Sequence, residues 1–407
     1  MSVMKRLLLL LICLSTWIVH AQETTPPLAA VIDQQLTVTH PDGQSLTLPI
    51  PGTIVRLTWD AAAARLAVLT LEDVLTLYTA TLDGEVTRLN TGELEAFPPA
   101  FTAQGDILYV AVGENRVLDP QIDYQAKLMR IAPDSAAQPV QVGTFSLILE
   151  CDGGASTPMH MQYAAEAGLL GTSLYLQETP YGILHSRSCA GVDYALLDPA
   201  TGLDTPIIDQ QPLTRAALSA GGRTLAAARL TFNPPDHTTQ IVLIDLATLA
   251  VTPLQTAYQP DQLAWGIDTA LYYTARQPIA DLMQTLSPED QATVKRQAFN
   301  QDAAAQIELP AYALRIQQLD LALPAAETTV FQGEGFAVGR LTATAAGLYF
   351  SVVPNGEGWL QAILDGTVTS PYSPQARLTV PVAVYQLASD QTPALIHPNM
   401  RLLTLHP

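Results

Sequence analysis

Residues 54–92 read IVRLTWDAAAARLAVLTLEDVLTLYTATLDGEVTRLNTG, and this stretch decides the fold. Its apolar segments, residues 65–71 and 74–82, are short and rich in Leu, Val and Thr, which is typical of strands. The dipeptide Asp83-Gly84 favours a tight hairpin turn, because glycine easily adopts the positive φ that such turns require. Another short strand is expected at residues 85–89. The stretch therefore predicts one antiparallel blade of a β-propeller.

The same turn-then-strand pattern recurs along the chain at intervals of roughly 40–50 residues, the period of four-stranded propeller blades. Its copies lie at Trp59, Phe101, Leu218, Trp265 and Leu341. The outer half of the unit, a strand, a turn and a strand, recurs at residues 77–89, 194–208, 241–254 and 382–396. An elaborated unit is placed at about residues 147–209. Seven blades are expected, with six or eight as alternatives.

The two ends of the chain each contain part of a blade. Residues 29–49 offer up to three strands but lack the opening strand of a unit, and residues 400–406, MRLLTLH, supply one. Pairing of the two segments would close the ring and leave no exposed sheet edge. We therefore expect an all-β fold, with a single propeller domain over residues 22–407.

The first residues are typical of a secretory signal peptide. Lys5 and Arg6 precede an apolar run at residues 7–19, and a small-residue cleavage site ends at Ala21. An uncleaved anchor is the alternative, but the run is short for a membrane span. We expect residues 1–21 to be removed, no membrane insertion afterwards, and an extracytoplasmic location that is secreted, periplasmic or at the cell surface.

The composition is that of a folded, acidic chain. Among 407 residues, 19 are Lys or Arg and 38 are Asp or Glu, which gives a formal net charge of −19. Nucleic acid is therefore a poor partner, because its phosphates need clustered basic side chains. Since like charges repel, the acidity favours a soluble monomer. With 48% apolar and 14% charged residues, the chain is not a disordered segment.

Two of the turn motifs support a resemblance to a known family. Residues 218–222, LSAGG, and residues 101–105, FTAQG, each precede an apolar strand. They resemble the aromatic-Ser-Pro-Asp-Gly opening of WD-repeat-like propeller units in exported bacterial proteins. Examples are the TolB propeller and the N-terminal propellers of prolyl oligopeptidase-type peptidases. The resemblance implies a β-propeller, a fold that serves binding platforms, enzyme gates and catalysts alike.

A helical insertion is predicted at about residues 278–310. Ile279, Leu282, Met283 and Leu286 recur at helical spacing. Residues 287–290, SPED, then form a helix start, with a capping hydroxyl, a proline at the first position and acids in the first turn. This second helix is expected to run to about residue 300. Two interpretations remain open: a decoration packed against the rim, or a lid or docking element over one mouth of the channel.

Cysteine and histidine residues cluster in the elaborated unit. Cys151 and Cys189 are expected to form a disulfide, because they are the two cysteines left in an exported chain after signal cleavage. Met159, His160 and His185 lie near them in sequence, so thioether, imidazole and thiolate groups could instead bind copper(I) or zinc. We expect the disulfide, and no metal or other cofactor.

No catalytic residues are predicted, since G-x-S-x-G is absent and no hydrolase domain follows. The leading hypothesis is a non-catalytic exported propeller that binds a protein, peptide or glycan at one face of the ring. Trp359, expected at an exposed hairpin tip, is the main candidate for a ligand contact, with Met159, His160 and His185. The alternatives are a propeller enzyme (hydrolase, lyase or metal-dependent lactonase) with a site at the channel mouth, and a structural module of a cell-envelope assembly.

Overall fold

The computed structural model shows seven four-stranded antiparallel sheets arranged as the blades of a propeller, which confirms the predicted fold class and blade number. The residues that the structure describes are 27–32, 35–40, 42–60, 65–113, 124–134, 136–147, 175–187, 193–208, 213–233, 236–266, 269–299, 301–322, 327–344, 347–366, 383–387, 392–397 and 401–405.

The strands of each blade are given from the centre of the ring outwards. Blade 1 contains β28 (Arg401–Leu405), β1 (Leu28–Ile32), β2 (Gln35–Thr39) and β3 (Ser45–Leu48). Blade 2 contains β4 (Thr53–Asp60), β5 (Arg65–Leu71), β6 (Leu75–Thr81) and β7 (Val86–Arg88). Blade 3 contains β8 (Ala100–Phe101), β9 (Ile107–Ala111), β10 (Tyr124–Ile131) and β11 (Val140–Leu147). Blade 4 contains β12 (Leu176–Thr179), β13 (Gly182–Ser186), β14 (Tyr194–Leu197) and β15 (Asp204–Pro206).

The remaining three blades follow the same order. Blade 5 contains β16 (Leu213–Leu218), β17 (Thr224–Asn233), β18 (Asp236–Asp245) and β19 (Ala250–Pro253). Blade 6 contains β20 (Leu263–Trp265), β21 (Ala270–Asp281), β22 (Pro310–Asp320) and β23 (Glu327–Gly335). Blade 7 contains β24 (Ala337–Thr344), β25 (Gly347–Val353), β26 (Ala383–Leu387) and β27 (Pro393–His397).

The ring is closed by the composite blade that the sequence predicts. In blade 1, β28 pairs with β1, with Leu405 opposite Leu28 and Arg401 opposite Val31. The strand β28 also contacts both β24 and β4, the first strands of its neighbouring blades. The sheet therefore receives strands from both ends of the described chain, and β1 is paired on both of its edges.

Apolar residues of neighbouring blades pack into seven hydrophobic clusters, one at each boundary between two blades. Between blades 1 and 2, for example, Val38 and Ala29 pack with Leu66, Val68 and Trp59. Each sheet is thus apolar on both faces, which is why residues 66–70 are all buried rather than alternating. These boundaries form the core that holds the ring rigid.

Because neighbouring strands are antiparallel, the connections within and between blades alternate between two faces of the ring. On one face, connections join the first strand of a blade to its second and the third strand to its fourth. We call this face the plain face. These connections are short turns such as residues 82–85, 198–203 and 246–249. The other face, which we call the elaborated face, is where the long connections 112–123, 148–175, 282–309 and 354–382 begin and end.

The predicted insertion is helical over a shorter span than expected. Instead of the first helix, β21 continues to Asp281 by pairing with β22, and only a single 3-10 turn, Leu282–Thr285, follows. Ile279 accordingly lies in the strand and is 51% exposed. The second helix is confirmed as α1 (Pro288–Phe299). Its Asp290 N–H donates to Ser287 Oγ at 3.2 Å, as the predicted cap requires.

A second helix, α2 (Glu357–Leu364), corrects the prediction for Trp359. The glycine-rich segment 355–359 was expected to be a hairpin tip, but Trp359 lies in the first turn of α2. The helix forms because Leu360 and Ile363, one turn apart, are buried against Val294 of α1. Within the described residues, no helix is long and apolar enough to cross a membrane.

Candidate functional site

The seven innermost strands, β28, β4, β8, β12, β16, β20 and β24, surround the centre of the ring. We call them the inner strands. Most of their residues are Ala, Leu, Val or Thr, and no histidine occurs within these described strands. Their charged residues are four arginines and two acids: Arg56, Arg215, Arg340, Arg401, Asp60 and Glu178.

Each of the four arginines lies at or next to an irregularity in the pairing of its inner strand with the second strand. Register shifts occur at Ile54/Arg56 in β4, at Thr214/Ala217 in β16 and at Val338/Leu341 in β24, which spans Arg340. The β28–β1 pair has its shift next to the Arg401–Val31 pair. A β-bulge inserts an extra residue and changes the direction of the side chains beside it. All four positions lie nearer the elaborated face, where the inner strands begin.

Arg56 lies between two hydrophobic cores and belongs to neither. In a regular strand Val55 and Leu57 would share a face. Here Leu57 packs in the core between blades 1 and 2, and Val55 packs in the core between blades 2 and 3. Arg56 itself is only partly buried although it lies within an inner strand, so it borders the centre of the ring. We call the space that these inner strands surround, at its elaborated end, the channel mouth.

The guanidinium of Arg56 has little to compensate its charge. Its Nη1 donates to the carbonyl oxygen of Val55 at 2.7 Å. Its Nε is buried and has no hydrogen-bond partner, and among the described residues no carboxylate pairs with it. Burial lowers the pKa of Arg56 for this reason. The channel mouth thus contains a partly buried cation that no described carboxylate balances.

Arg215 lies at the channel mouth in a backbone conformation unusual for a bulky side chain. Its φ is 56°, and the preceding blade presents Asp193 with φ 61°. The two segments are joined, because the Asp193 N–H donates to the Leu213 carbonyl at 3.3 Å. Burial raises the pKa of Asp193, and the charge of Arg187 opposes that rise. Such left-handed non-glycine residues cost energy and often mark functional sites.

The acids of the inner strands lie at the opposite end of the channel. Asp60 is the last residue of β4, and its Oδ2 lies 3.6 Å from Arg65 Nη2. Glu178, near the end of β12, accepts a hydrogen bond from the Ala103 N–H at 2.7 Å. Both therefore brace turns of the plain face. The inner strands thus carry their arginines towards the elaborated end and their acids at the plain end, where Arg65 lies beside Asp60.

A cationic and aromatic cluster lies on the elaborated face beside the two helices. The guanidinium carbon of Arg276 is 4.9 Å from the ring centroid of Tyr312 and 5.7 Å from that of Phe336. Arg276 Nε also lies 3.5 Å from Asp261 Oδ2, which fixes the side chain. Asn355, at the start of the α2 segment, accepts from the Tyr312 N–H at 3.3 Å. The cluster joins blades 6 and 7, and we call it the arginine–aromatic patch.

Of the residues predicted to contact a ligand, only His185 has its side chain described. It is fully buried in β13. Its Nε2 lies 2.9 Å from Asp204 Oδ1, and its Nδ1 lies 3.2 Å from the Ser186 carbonyl. Both ring nitrogens are engaged, so in this conformation His185 braces blade 4 instead of facing solvent. Cys151, Cys189, Met159 and His160 lie outside the described residues, and only the backbone of Trp359 is described.

The remaining candidates for a site are a surface cleft and clusters of metal-binding side chains. A cleft of about 330 Å³ at the outer rim of blade 2 is lined by residues including Leu75, Arg88, Leu89 and Thr91. Within the part of the chain that the structure describes, no three His, Cys, Asp or Glu residues lie close enough to hold a metal ion. The channel mouth and the arginine–aromatic patch are therefore the candidate sites with the most distinctive chemistry.

Sequence reasoning missed the arginines of the inner strands. The signal was present, because Arg56 and Arg215 precede Trp59 and Leu218 of the repeat by the same spacing. Arg340 has that spacing to Ala343, which closes its hairpin opposite Leu348. Aligning the repeat units on their turns could thus have revealed that a basic residue occupies the same position in several blades.

The fold and its inner strands define a seven-bladed β-propeller. No protein-family model matches the chain, and a search of curated proteins found no match. Several solved propellers are similar in structure. TolB from Acinetobacter baumannii shares 13% identity, with a TM-score of 0.39 over 73% of this chain and 62% of the TolB chain. This chain therefore spans less than two thirds of that protein.

Two enzymes show a comparable likeness. An oligogalacturonate lyase in complex with manganese is 9% identical, with a TM-score of 0.45 over 73% of this chain and 70% of the lyase. Puromycin hydrolase is 12% identical, with a TM-score of 0.46 over 82% of this chain and 51% of the hydrolase. At such low identity these similarities show the fold alone. The neighbours include TolB proteins, as the sequence resemblance implies, and enzymes of different chemistry.

Proposed function

We propose that this protein is an extracytoplasmic, non-catalytic binding scaffold that holds a protein, peptide or glycan on the elaborated face of its ring. One observation carries the proposal: the long connections of the propeller begin and end at that face, whereas the plain face has short turns. Binding residues are commonly placed on loops above a rigid scaffold. The elaborated face is thus the one on which the seven blades differ most from one another.

Part of this face is a platform of two helices that pack against each other and against the ring. Val294 of α1 and Leu360 of α2 belong to one buried cluster with Leu282, Leu309 and Phe336. This cluster ties a connection of blade 6 to a connection of blade 7, so the two helices are fixed to the ring and to each other. A platform held in this way binds with little loss of conformational freedom, which favours affinity.

The arginine–aromatic patch supplies contacts suited to such ligands. Arg276 is stacked near the rings of Tyr312 and Phe336 and is held by Asp261. Arginine and aromatic side chains dominate the energetic centres of protein interfaces. Phe336 is buried beneath the patch, so Arg276 and the half-buried Tyr312 are the side chains that a ligand would contact. The proposal accordingly places the central contact of the ligand at this patch.

The extracytoplasmic location is supported by the signal peptide that the sequence predicts at residues 1–21, which lie outside the described residues. It is tested by expressing the full chain in a bacterial host and separating the compartments. Mature protein beginning at about residue 22 in the exported fraction is expected. Full-length protein retained in the cytoplasm would contradict the location.

The binding function is tested with peptide and glycan arrays probed with the purified mature protein. We expect defined array members to bind, and Arg276→Gln to weaken that binding by about tenfold or more. The control is Arg223→Gln, which removes a similar ion-paired arginine, bonded to Asp245 at 2.9 Å, from the plain face. Equal binding by both variants would contradict the assigned face. Chemical conversion of the bound member, detected by mass spectrometry, would favour the enzyme alternative.

A further inference from the structure

We propose that the channel mouth binds a small, multiply charged oxyanion, whose carboxylate or phosphate groups are held by Arg56 and Arg215. This site is separate from the elaborated-face platform, so it does not depend on the function proposed above. A small anion can bind there whether or not a larger partner binds the face.

The first support is the recurrence of arginine at the inner-strand bulges. The inner strands β4, β16, β24 and β28 are those whose pairing with the second strand shifts register, and each carries an arginine at or beside the shift. The described pairings of β12 and β20 have no shift, and these strands have no arginine. Three of the four, in blades 7, 1 and 2, are consecutive around the ring. The arginines therefore recur in strands that surround one channel.

The second support is the uncompensated charge of Arg56. A partly buried guanidinium normally has a carboxylate partner, because removing its water shell is costly. Among the residues that the structure describes, Arg56 has only the Val55 carbonyl, at 2.7 Å, and its buried Nε has no acceptor. An oxyanion would supply that acceptor and the missing charge. The geometry of the guanidinium suits this ligand, since its N–H groups match two oxygens of a carboxylate or phosphate.

The third support is the contrast with the rest of the molecule. The chain has a formal net charge of −19, so the recurrence of arginine in the inner strands is not a consequence of general composition. At the plain end of the channel the inner strands carry no arginine, and their charged residues there are Asp60, which pairs with Arg65, and Glu178. The inner strands therefore favour an anion at the channel mouth over one at the plain end.

The proposal is tested by calorimetric titration and thermal unfolding with two probes, citrate and inorganic pyrophosphate, against sodium chloride at matched ionic strength. Saturable binding of at least one probe, with a rise in melting temperature, is expected. The probe that binds more tightly assigns the class of ligand. Tighter binding of citrate would indicate a polycarboxylate, and tighter binding of pyrophosphate would indicate a phosphate ester. Saturable binding of neither would overturn the proposal.

The variant Arg56→Gln is expected to weaken binding by about tenfold or more, because a charge-assisted hydrogen bond is lost. Its ligand-free melting temperature should be unchanged or higher, since an uncompensated charge is removed. The matched control, Arg223→Gln, removes the same charge from the plain face and should bind like the wild type. If Arg56→Gln does not fold, Arg215→Gln takes its place. Equal affinity of the arginine variant and the control would overturn the proposal.

Discussion

The ring centroids of His185 and Phe145 lie 4.2 Å apart, and this contact joins two strand ends from neighbouring blades. Phe145 is close to the end of β11, and His185 is close to the end of β13. Cys151 follows the first strand and Cys189 follows the second, each by a short segment. Since each residue extends the chain by at most about 3.6 Å, these anchors are compatible with the disulfide that the sequence predicts.

We therefore predict that the exported protein, denatured without reductant, contains no free thiol at Cys151 or Cys189. Serine at both positions should lower the free energy of unfolding by about 3–4 kcal/mol, because the closed loop restricts the unfolded chain. Thiol titration, peptide mapping and denaturant unfolding are the measurements. Two free thiols together with one equivalent of zinc or copper would reverse the prediction and direct attention to His160.

The pair His185–Asp204 should be a structural one. Replacing Asp204 by alanine leaves a buried imidazole nitrogen without its partner at 2.9 Å. We expect a loss of about 1–3 kcal/mol in the free energy of unfolding. The variant Asp204→Asn keeps an acceptor at the same place and should lose less. Urea unfolding of both variants provides the comparison, and equal losses would show that the hydrogen bond is not the cause.

The junction of α1 and α2 should behave as one packed unit. Leu360 of α2 is 3% exposed and belongs to the cluster that contains Val294 of α1. We predict that Leu360→Ala costs about 2–5 kcal/mol and increases amide hydrogen exchange in α1, in a different blade. The control is Leu395→Ala, because Leu395 is 54% exposed. Unchanged exchange in α1 would mean that the two helices are independent.

Alkaline pH should destabilise the fold through its buried tyrosines. Burial raises the pKa of Tyr109 to about 12, whereas an exposed tyrosine titrates near about 10. The unfolded chain thus releases this proton at lower pH than the folded protein. Stability that is fully present below about pH 10 is therefore lost as the pH rises towards about 12.

The variant Tyr109→Phe tests the direction of this pH dependence. Between about pH 10 and 12, its free energy of unfolding should fall less steeply with pH than that of the wild type. The difference in slope should correspond to at most one bound proton. The loss of the hydroxyl's hydrogen bond to the Thr91 carbonyl, 3.3 Å long, lowers stability at all pH values and is read separately at neutral pH. Tyr181→Phe is the control, since Tyr181 is 39% exposed. A steeper slope for Tyr109→Phe would contradict the assignment.

The fold could be predicted because its signals are local and repeated. Asp83-Gly84 predicts its hairpin directly, and the structure gives Gly84 a φ of 94° and a turn bond from its N–H to the Thr81 carbonyl. The composite blade could also be predicted, because an unmatched strand at one end and an incomplete sheet at the other have a single simple pairing. In both cases the deciding information lies in short stretches of sequence.

The parts that were missed depend on contacts between distant segments. The segment containing Gly356 and Gly358 has the composition of a turn, and α2 forms there because α1 of another blade covers Leu360. The special position of Arg56 depends on a bulge, which is a property of how β4 pairs with β5 and not of β4 alone. For the same reason His185 could be noticed as a reactive side chain, but its partner Asp204 could not be assigned.

The composite blade also sets an order of events during folding. Blades 2 to 7 can each form from a continuous stretch of chain, but β1 must wait for residues 401–405. A chain that emerges from its N-terminal end therefore carries an unfinished sheet throughout nearly all of its synthesis. Pairing across such a sequence separation is slow. Closure is expected as the final step, and the interval before it is when the chain is most exposed to pairing with another copy of itself.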